Sequence, residues 1–160
     1  MSKATIGFII SSLIYLAIST LLGVLMAINY SEYARLTGTH VHIGLLGFLG
    51  MIVYGVGYHI LPRFRGRPLH SESLAMAHLW LGNITLIGMA FYFPSMAYFS
   101  PDWNTAKILF VIFGAGHSIS ILMCVYNLLF TLLPLTPVEL PPALVQAKAR
   151  IEAQKKKAEE

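Results

Sequence analysis

Charged and apolar positions segregate along this chain in whole segments, not in turns of a helix. Ala4 to Asn29 holds no charged residue, and Leu36 to Pro62 holds none beyond histidine. Ser73 to Pro101 and Ile108 to Val138 repeat the pattern. A helix needs about 20 apolar residues to cross a hydrocarbon core of about 30 Å. Each run exceeds that length. The pattern therefore predicts an all-α, integral membrane four-helix bundle with spans at about 5–28, 38–61, 73–96 and 104–133. Leu61-Pro62-Arg63 marks the expected end of the second span, because proline interrupts a helix. Ser71 or Ser73 is the expected cap of the third span, and Phe93-Pro94 its far end. Tyr92, Tyr98 and Trp103 fall where an aromatic belt belongs. The first run is longer than the 7–15 residues typical of a signal-peptide core and lacks a small-residue cleavage site after it. It reads as an uncleaved span. Residues 1–138 form the expected membrane domain, with no room for a separate soluble domain. The proline-rich stretch LTPVELPP then leads to a charged cytoplasmic tail, 139–160, either solvated or touching anionic lipid heads.

Composition agrees: 56% of the 160 residues are apolar and 11% charged, with a mean hydropathy of +0.68. Soluble domains carry about a quarter charged residues. The charges set direction. Arg63, Arg65 and Arg67 lie between the second and third spans, Lys148, Arg150, Lys155, Lys156 and Lys157 in the tail, and Lys3 at the start. The other two connections offer only Arg35 and Lys107, beside Glu32 and Asp102. Lys and Arg gather on the cytoplasmic side, so the expected topology is N-in/C-in, multi-pass, in the cell inner (cytoplasmic) membrane. The net charge of +4 then needs no nucleic acid to explain it. The single cysteine, Cys124, falls in the fourth span and excludes an intrachain disulfide; it reads as a small packing residue.

The chemistry rests on six histidines, His40, His42, His59, His70, His78 and His117. His70 sits in the basic connection and reads as wet. The other five fall within spans, where an ionisable side chain is a functional candidate. Neutral imidazole is the commonest metal ligand and an axial ligand of haem iron. At about 100° per residue, His40 shares a face with Gly44, Gly47, Met51, Gly55 and Tyr58. That glycine face suits either a flat macrocycle or close helix packing through small residues. His42 points to nearly the opposite face, as a hydrogen-bond partner, a ligand in a neighbouring subunit or a second-site ligand. A copper ion at His40 and His42 is a further reading. His117 falls near mid-membrane beside Gly114 and Gly116, as an axial ligand or an interhelical hydrogen-bond donor. His78 and His59 fall at similar depth and form a candidate inner pair.

The stretch THVHIGLLGFLGMIVYGVGYHILP resembles the second transmembrane helix of the catalytic subunit of haem–copper oxidases and nitric oxide reductases. AHLWLGNITLIG is similar, less specifically, to the helix that follows. The resemblance covers roughly residues 5 to 95, the first three of the family's twelve helices. It implies that His40 occupies the low-spin haem ligand position, with His42 as the alternative, and that Pro62 is the closing proline. The family's copper site uses three histidines on its sixth and seventh helices, which have no counterpart here. Its tenth-helix histidine pair is also missing, since Ala115 and Ile119 flank His117 at the even positions. The resemblance thus implies a low-spin haem site without an oxygen-reducing centre.

Together these readings describe a membrane b-type cytochrome that transfers electrons and is not by itself a complete oxidase. It is expected to bind haem b, one or two per chain. His40 and His117 are the first-choice ligands, and His42, His78 and His59 the other metal-ligand candidates. The expected partners are the membrane, further copies or respiratory-complex subunits, and a quinone or cytochrome redox partner. The alternatives are a non-catalytic subunit or assembly partner of a respiratory complex, and a haem or gas sensor.

Overall fold

The computed structural model describes residues 1–133 and Gln154. Four helices among these residues are long and apolar enough to cross a membrane. They are α1 (Lys3–Ile28), α2 (Tyr30–Arg65), α3 (Glu72–Tyr98) and α4 (Trp103–Leu132). The tail expected at 139–160 lies outside the described residues, apart from Gln154.

Each helix starts on a side-chain cap. Ser2, Asn29, Ser71 and Asp102 accept backbone N–H bonds from Thr5, Ser31, Leu74 and Thr105. Such caps satisfy donors that the first turn leaves without partners. Asn29 ends α1 and starts α2, so α2 begins eight residues before the position expected from hydropathy. The segment SEYARL is polar but not a loop. Glu32 lies in the first turn, where the helix dipole favours an acid, and Arg35 bonds it at 3.1 Å.

Both prolines expected to end spans lie inside helices instead. α2 passes Pro62 and stops at Gly66, whose φ of 64° lies in the left-handed region. α3 passes Pro94 and runs to Tyr98. A proline at 94 has no N–H, so the carbonyl of Ala90, four residues earlier, loses its helical donor. Thr39 of α2 replaces it, donating its hydroxyl to that carbonyl at 2.8 Å. Neighbouring side chains that re-satisfy freed backbone groups are what make proline tolerable in a bilayer. Thr39→Val is expected to destabilise the bundle by about 1 kcal/mol, read as a lower thermal midpoint in detergent. The loss should shrink in Pro94→Ala, where residue 94 regains its N–H.

Between His42 and Met51, α2 widens into a π-helix, Ile43–Gly50. π-helical turns are rare and often mark functional sites. Gly44, Gly47 and Gly50 lie in this stretch.

α1 packs antiparallel on α2, and α3 antiparallel on α4. At Gly44, Gly47 and Gly55 of α2, an added Cβ would meet Ser19, Tyr15 and Phe8 of α1 at 3.1, 2.7 and 3.0 Å. Between α3 and α4, Phe113 fills the space above Gly88, and Thr85 that above Gly116. Tyr15 also donates to Asn83 of α3 at 2.7 Å, which ties α1 across to α3. Asn127 of α4 holds Ser71 by two bonds, accepting from its N–H at 2.9 Å and donating to its carbonyl at 2.7 Å.

Asp102, at the α3–α4 connection, accepts from the Thr105 N–H at 2.8 Å. That N–H holds its carboxyl below the ordinary 3.8. A depressed carboxylate pKa contributes stability above the unfolded value, and the contribution is lost as pH falls through the folded one. The thermal midpoint should therefore drop below about pH 4 in the wild type, and the Asp102→Asn variant should lose this part of the drop.

Candidate haem and metal site

The five span histidines occupy different environments. His40 lies on the α1 side of α2. Its Nδ1 is 3.0 Å from the Ser19 carbonyl, which only accepts, so Nδ1 carries the proton and donates it. The lone pair is then on Nε2. His40 lines a groove of about 380 Å³ with Gly23, Met26, Ala27, Tyr33, Thr37 and Val41. Tyr33 and Val41 are exposed, so the groove opens on the outside of the bundle. Its size lies in the range of small-molecule pockets, about 300–1,000 Å³. Ligating histidines characteristically give the other ring N–H to a backbone carbonyl or carboxylate, which fixes ring and tautomer. His40 has that arrangement before any ligand is bound.

His42 donates Nδ1–H to the Gly38 carbonyl at 2.8 Å and sits against the rings of Phe93 and Phe110. It faces α3 and α4, as the two-residue spacing from His40 predicts.

His117 is 3% exposed. Its Nδ1 is 3.1 Å from the Thr85 hydroxyl oxygen. Thr85 has one proton, which it shares with the carbonyls of Leu81 and Gly82 at 2.7 and 3.2 Å. Nδ1 of His117 must therefore donate, which leaves a bare lone pair on Nε2. That atom is buried without a hydrogen-bond partner. His78 is fully buried, enclosed by the rings of Phe8, Tyr54 and Tyr58. Its Nδ1 is 3.0 Å from the Tyr58 hydroxyl, and its Nε2 also lacks a partner. An unpaired polar atom in the interior is costly and calls for an explanation. His59, by contrast, bonds Arg63 on the surface of α2, and His70 meets Tyr126 edge-on and Phe130 at a tilt.

The first-choice residues are thus separated. His40 faces Ser19 and Gly23 on α1, whereas His117 is held against Thr85 on α3. His59 faces outward and does not meet the enclosed ring of His78. The glycine face of α2 is covered by α1, so Gly44, Gly47 and Gly55 serve helix packing. Met51 leaves that face and reaches Gly82 of α3. Among the described residues no three or more His, Cys, Asp or Glu side chains converge. Of the partners that orient the rings, Tyr58 and Thr85 are legible from sequence only as positions on a histidine-bearing helix face, and Ser19 is given no role there.

The two regions differ in the room they offer. The groove beside His40 has space for one edge of a macrocycle. The surroundings of His78 are filled by the rings of Phe8, Tyr54 and Tyr58 and leave no room for a flat macrocycle.

Fold and site define a helical membrane protein with imidazoles presented in its interior and in an outward groove. Comparison with known proteins places it further. The chain is 37% identical over 100 residues to the CcoN1 subunit of a cbb3-type cytochrome c oxidase from Stutzerimonas stutzeri, covering 59% of this chain and 20% of that one. It is 37% identical over 87 residues to cytochrome c oxidase subunit 1 of Rhodobacter capsulatus, covering 51% and 16%. A subunit 1 homolog from Agrobacterium tumefaciens is 31% identical over 87 residues, with the same coverage of 51% and 16%. No protein-family model matches the chain, and no solved structure matches it. The chain is thus similar to part of cytochrome c oxidase subunit 1 proteins, and it spans about a fifth or less of the length of the curated relatives it matches.

Proposed function

We propose that this chain is a membrane b-type cytochrome that carries electrons and holds its haem in the groove beside His40. The carrying observation is the His40 ring: Nδ1–H is committed to the Ser19 carbonyl at 3.0 Å, and the imidazole lines a groove with glycine opposite. Homology to oxidase subunit 1 proteins supports haem as the group. When bound, haem supplies a one-electron iron couple. The chain's own residues do the rest. Ser19 sets the ring orientation, Gly23 keeps the wall low, and Met26, Ala27 and Val41 keep water away. His117 is packed against α3, which supports a second axial ligand from another copy of the chain rather than from α4. With an N-in/C-in topology the groove lies toward the outer face, within reach of a quinone or a respiratory-complex partner.

The test is absorbance of the full chain purified from haem-replete cells. A Soret band with sharp reduced alpha bands is expected, at one haem per two chains. A colourless protein would contradict the reading.

One observation favours a second reading. Because α1 covers the glycine face of α2, that face is fully explained by packing. A non-catalytic subunit or assembly partner of a respiratory complex would show the same face. It would co-purify with larger subunits and carry no haem of its own.

A further inference from the structure

A second groove, of about 410 Å³, lies between α1 and α3 over α2, and no histidine lines it. Its walls are mostly aliphatic, with Ile14 of α1, Ile43 of α2 and Ile87 of α3. Ile14 and Ile87 are exposed, so the groove opens on the outside of the bundle. Within this apolar lining stands the Tyr15–Asn83 pair. The Tyr15 hydroxyl donates to Asn83 Oδ1 at 2.7 Å, and Asn83 Nδ2 donates to the Leu79 carbonyl at 2.7 Å. A carboxamide nitrogen carries two hydrogens. The second has no partner among the described residues, although the other two bonds fix the amide plane. Ser11, one turn before Tyr15 on the same helix face, lines the groove too. It makes no hydrogen bond among the described residues.

Depth gives this donor its meaning. Asn83 lies 11 residues after Glu72 and 15 before Tyr98, the ends of α3. At 1.5 Å per residue it stands about 16 Å from the start of the helix, near the middle of the span. Water does not reach a polar group there, so an unpaired N–H is costly. The lining then chooses the ligand. Among the described residues that form it there is no Lys, Arg, Asp, Glu, His, Cys or Met. An ion would find no opposite charge, and a metal no ligand. A phospholipid chain carries no acceptor at this depth, because its ester and phosphate oxygens stay about 15 Å away, at the edge of a core about 30 Å thick. What fits is a neutral, apolar molecule that dissolves in the bilayer and carries a carbonyl oxygen. The groove's size lies in the range of small-molecule sites, about 300–1,000 Å³.

We propose that the α1–α3 groove binds the head group of a membrane quinone, with a quinone carbonyl accepting from the remaining Nδ2–H of Asn83. Ser11 offers a second donor to the ring. Tyr15 is a positioning residue, since it holds the Asn83 oxygen and so the orientation of the amide. The aliphatic walls take the ring faces and the start of the tail. The inference does not rest on the haem reading. A colourless protein that binds quinone leaves this site standing, and a haem protein that binds none overturns it.

The test uses the full chain in lipid nanodiscs and a photoreactive azido-quinone, with decylubiquinone as competitor and labelled peptides mapped by mass spectrometry. The label is expected within residues 11–18 of α1 and 83–94 of α3, the stretches that line the groove. Excess decylubiquinone should remove it. Asn83→Leu should weaken that competition by about fivefold, the loss of one hydrogen bond. Ile14→Trp fills the groove from an exposed position and breaks no side-chain hydrogen bond, and it should abolish the label there. If Asn83→Leu fails to fold, Ile14→Trp decides. Label spread evenly over the lipid-facing sides of all four helices, or groove label that survives Ile14→Trp, would overturn the site. A groove left unlabelled because a second copy of the chain covers it overturns it too.

Discussion

Gly47→Leu is expected to lower bundle stability by more than about 3 kcal/mol, against total stabilities of about 5–15 kcal/mol for ordinary domains. Even the first added carbon would stand 2.7 Å from Tyr15 Cγ and 2.9 Å from Tyr15 Cβ. Those atoms lie at the root of the side chain, so a rotamer change does not clear them. The other end is pinned, because the Tyr15 hydroxyl bonds Asn83 at 2.7 Å. Relief requires α1 to move off α2, and that separates the Gly44–Ser19 and Gly55–Phe8 contacts as well. A control lies on α4. An added Cβ at Gly114 meets nothing within 4 Å, so Gly114→Ala should be neutral or stabilise the helix by up to about 1 kcal/mol. Thermal unfolding of both variants in the same detergent separates them. Equal midpoints would mean that α1 does not sit on the glycine face.

That contrast also marks how far the sequence could be read. The number of spans was legible because bilayer thickness demands long charge-free runs, and Ser71 was legible as a cap by residue type. Span boundaries were less so. The stretch 30–37 looked like a loop because it is polar, yet Asn29, Glu32 and Arg35 give it a cap and an ion pair that extend α2. Pro94 looked like a stop because the replacement donor, Thr39, lies 55 positions earlier in the chain. The glycine face was legible as a face, but small residues serve a macrocycle and a neighbouring helix alike, and only the position of α1 shows which lies there. The pairing of His78 with Tyr58 and of His117 with Thr85 depends on the register between antiparallel helices, which no local pattern encodes. The π-helical stretch of α2 depends likewise on three-dimensional packing.

His40→Ala should cost the purified protein essentially all of its haem. The imidazole is the chain's ligand in the groove, and alanine offers no donor. The helix should survive, because His40 is only part-buried and its bonds to Ser19 lie at the edge of the α1–α2 contact. His117→Ala should keep the haem, since that ring sits in the α3–α4 interface and faces no part of the groove. His42→Ala should keep it as well, because the ring is turned toward Phe93 and Phe110. Ser19 offers a graded case. Its carbonyl remains in Ser19→Ala, so haem should be retained with at most a modest shift in reduction potential.

The most direct measurement is the reduced-minus-oxidised absorbance spectrum of wild type, His40→Ala and His117→Ala, purified in parallel and normalised to chain. The reading predicts alpha and Soret bands in wild type and His117→Ala and their absence in His40→Ala. Bands that persist in His40→Ala and vanish in His117→Ala would contradict it.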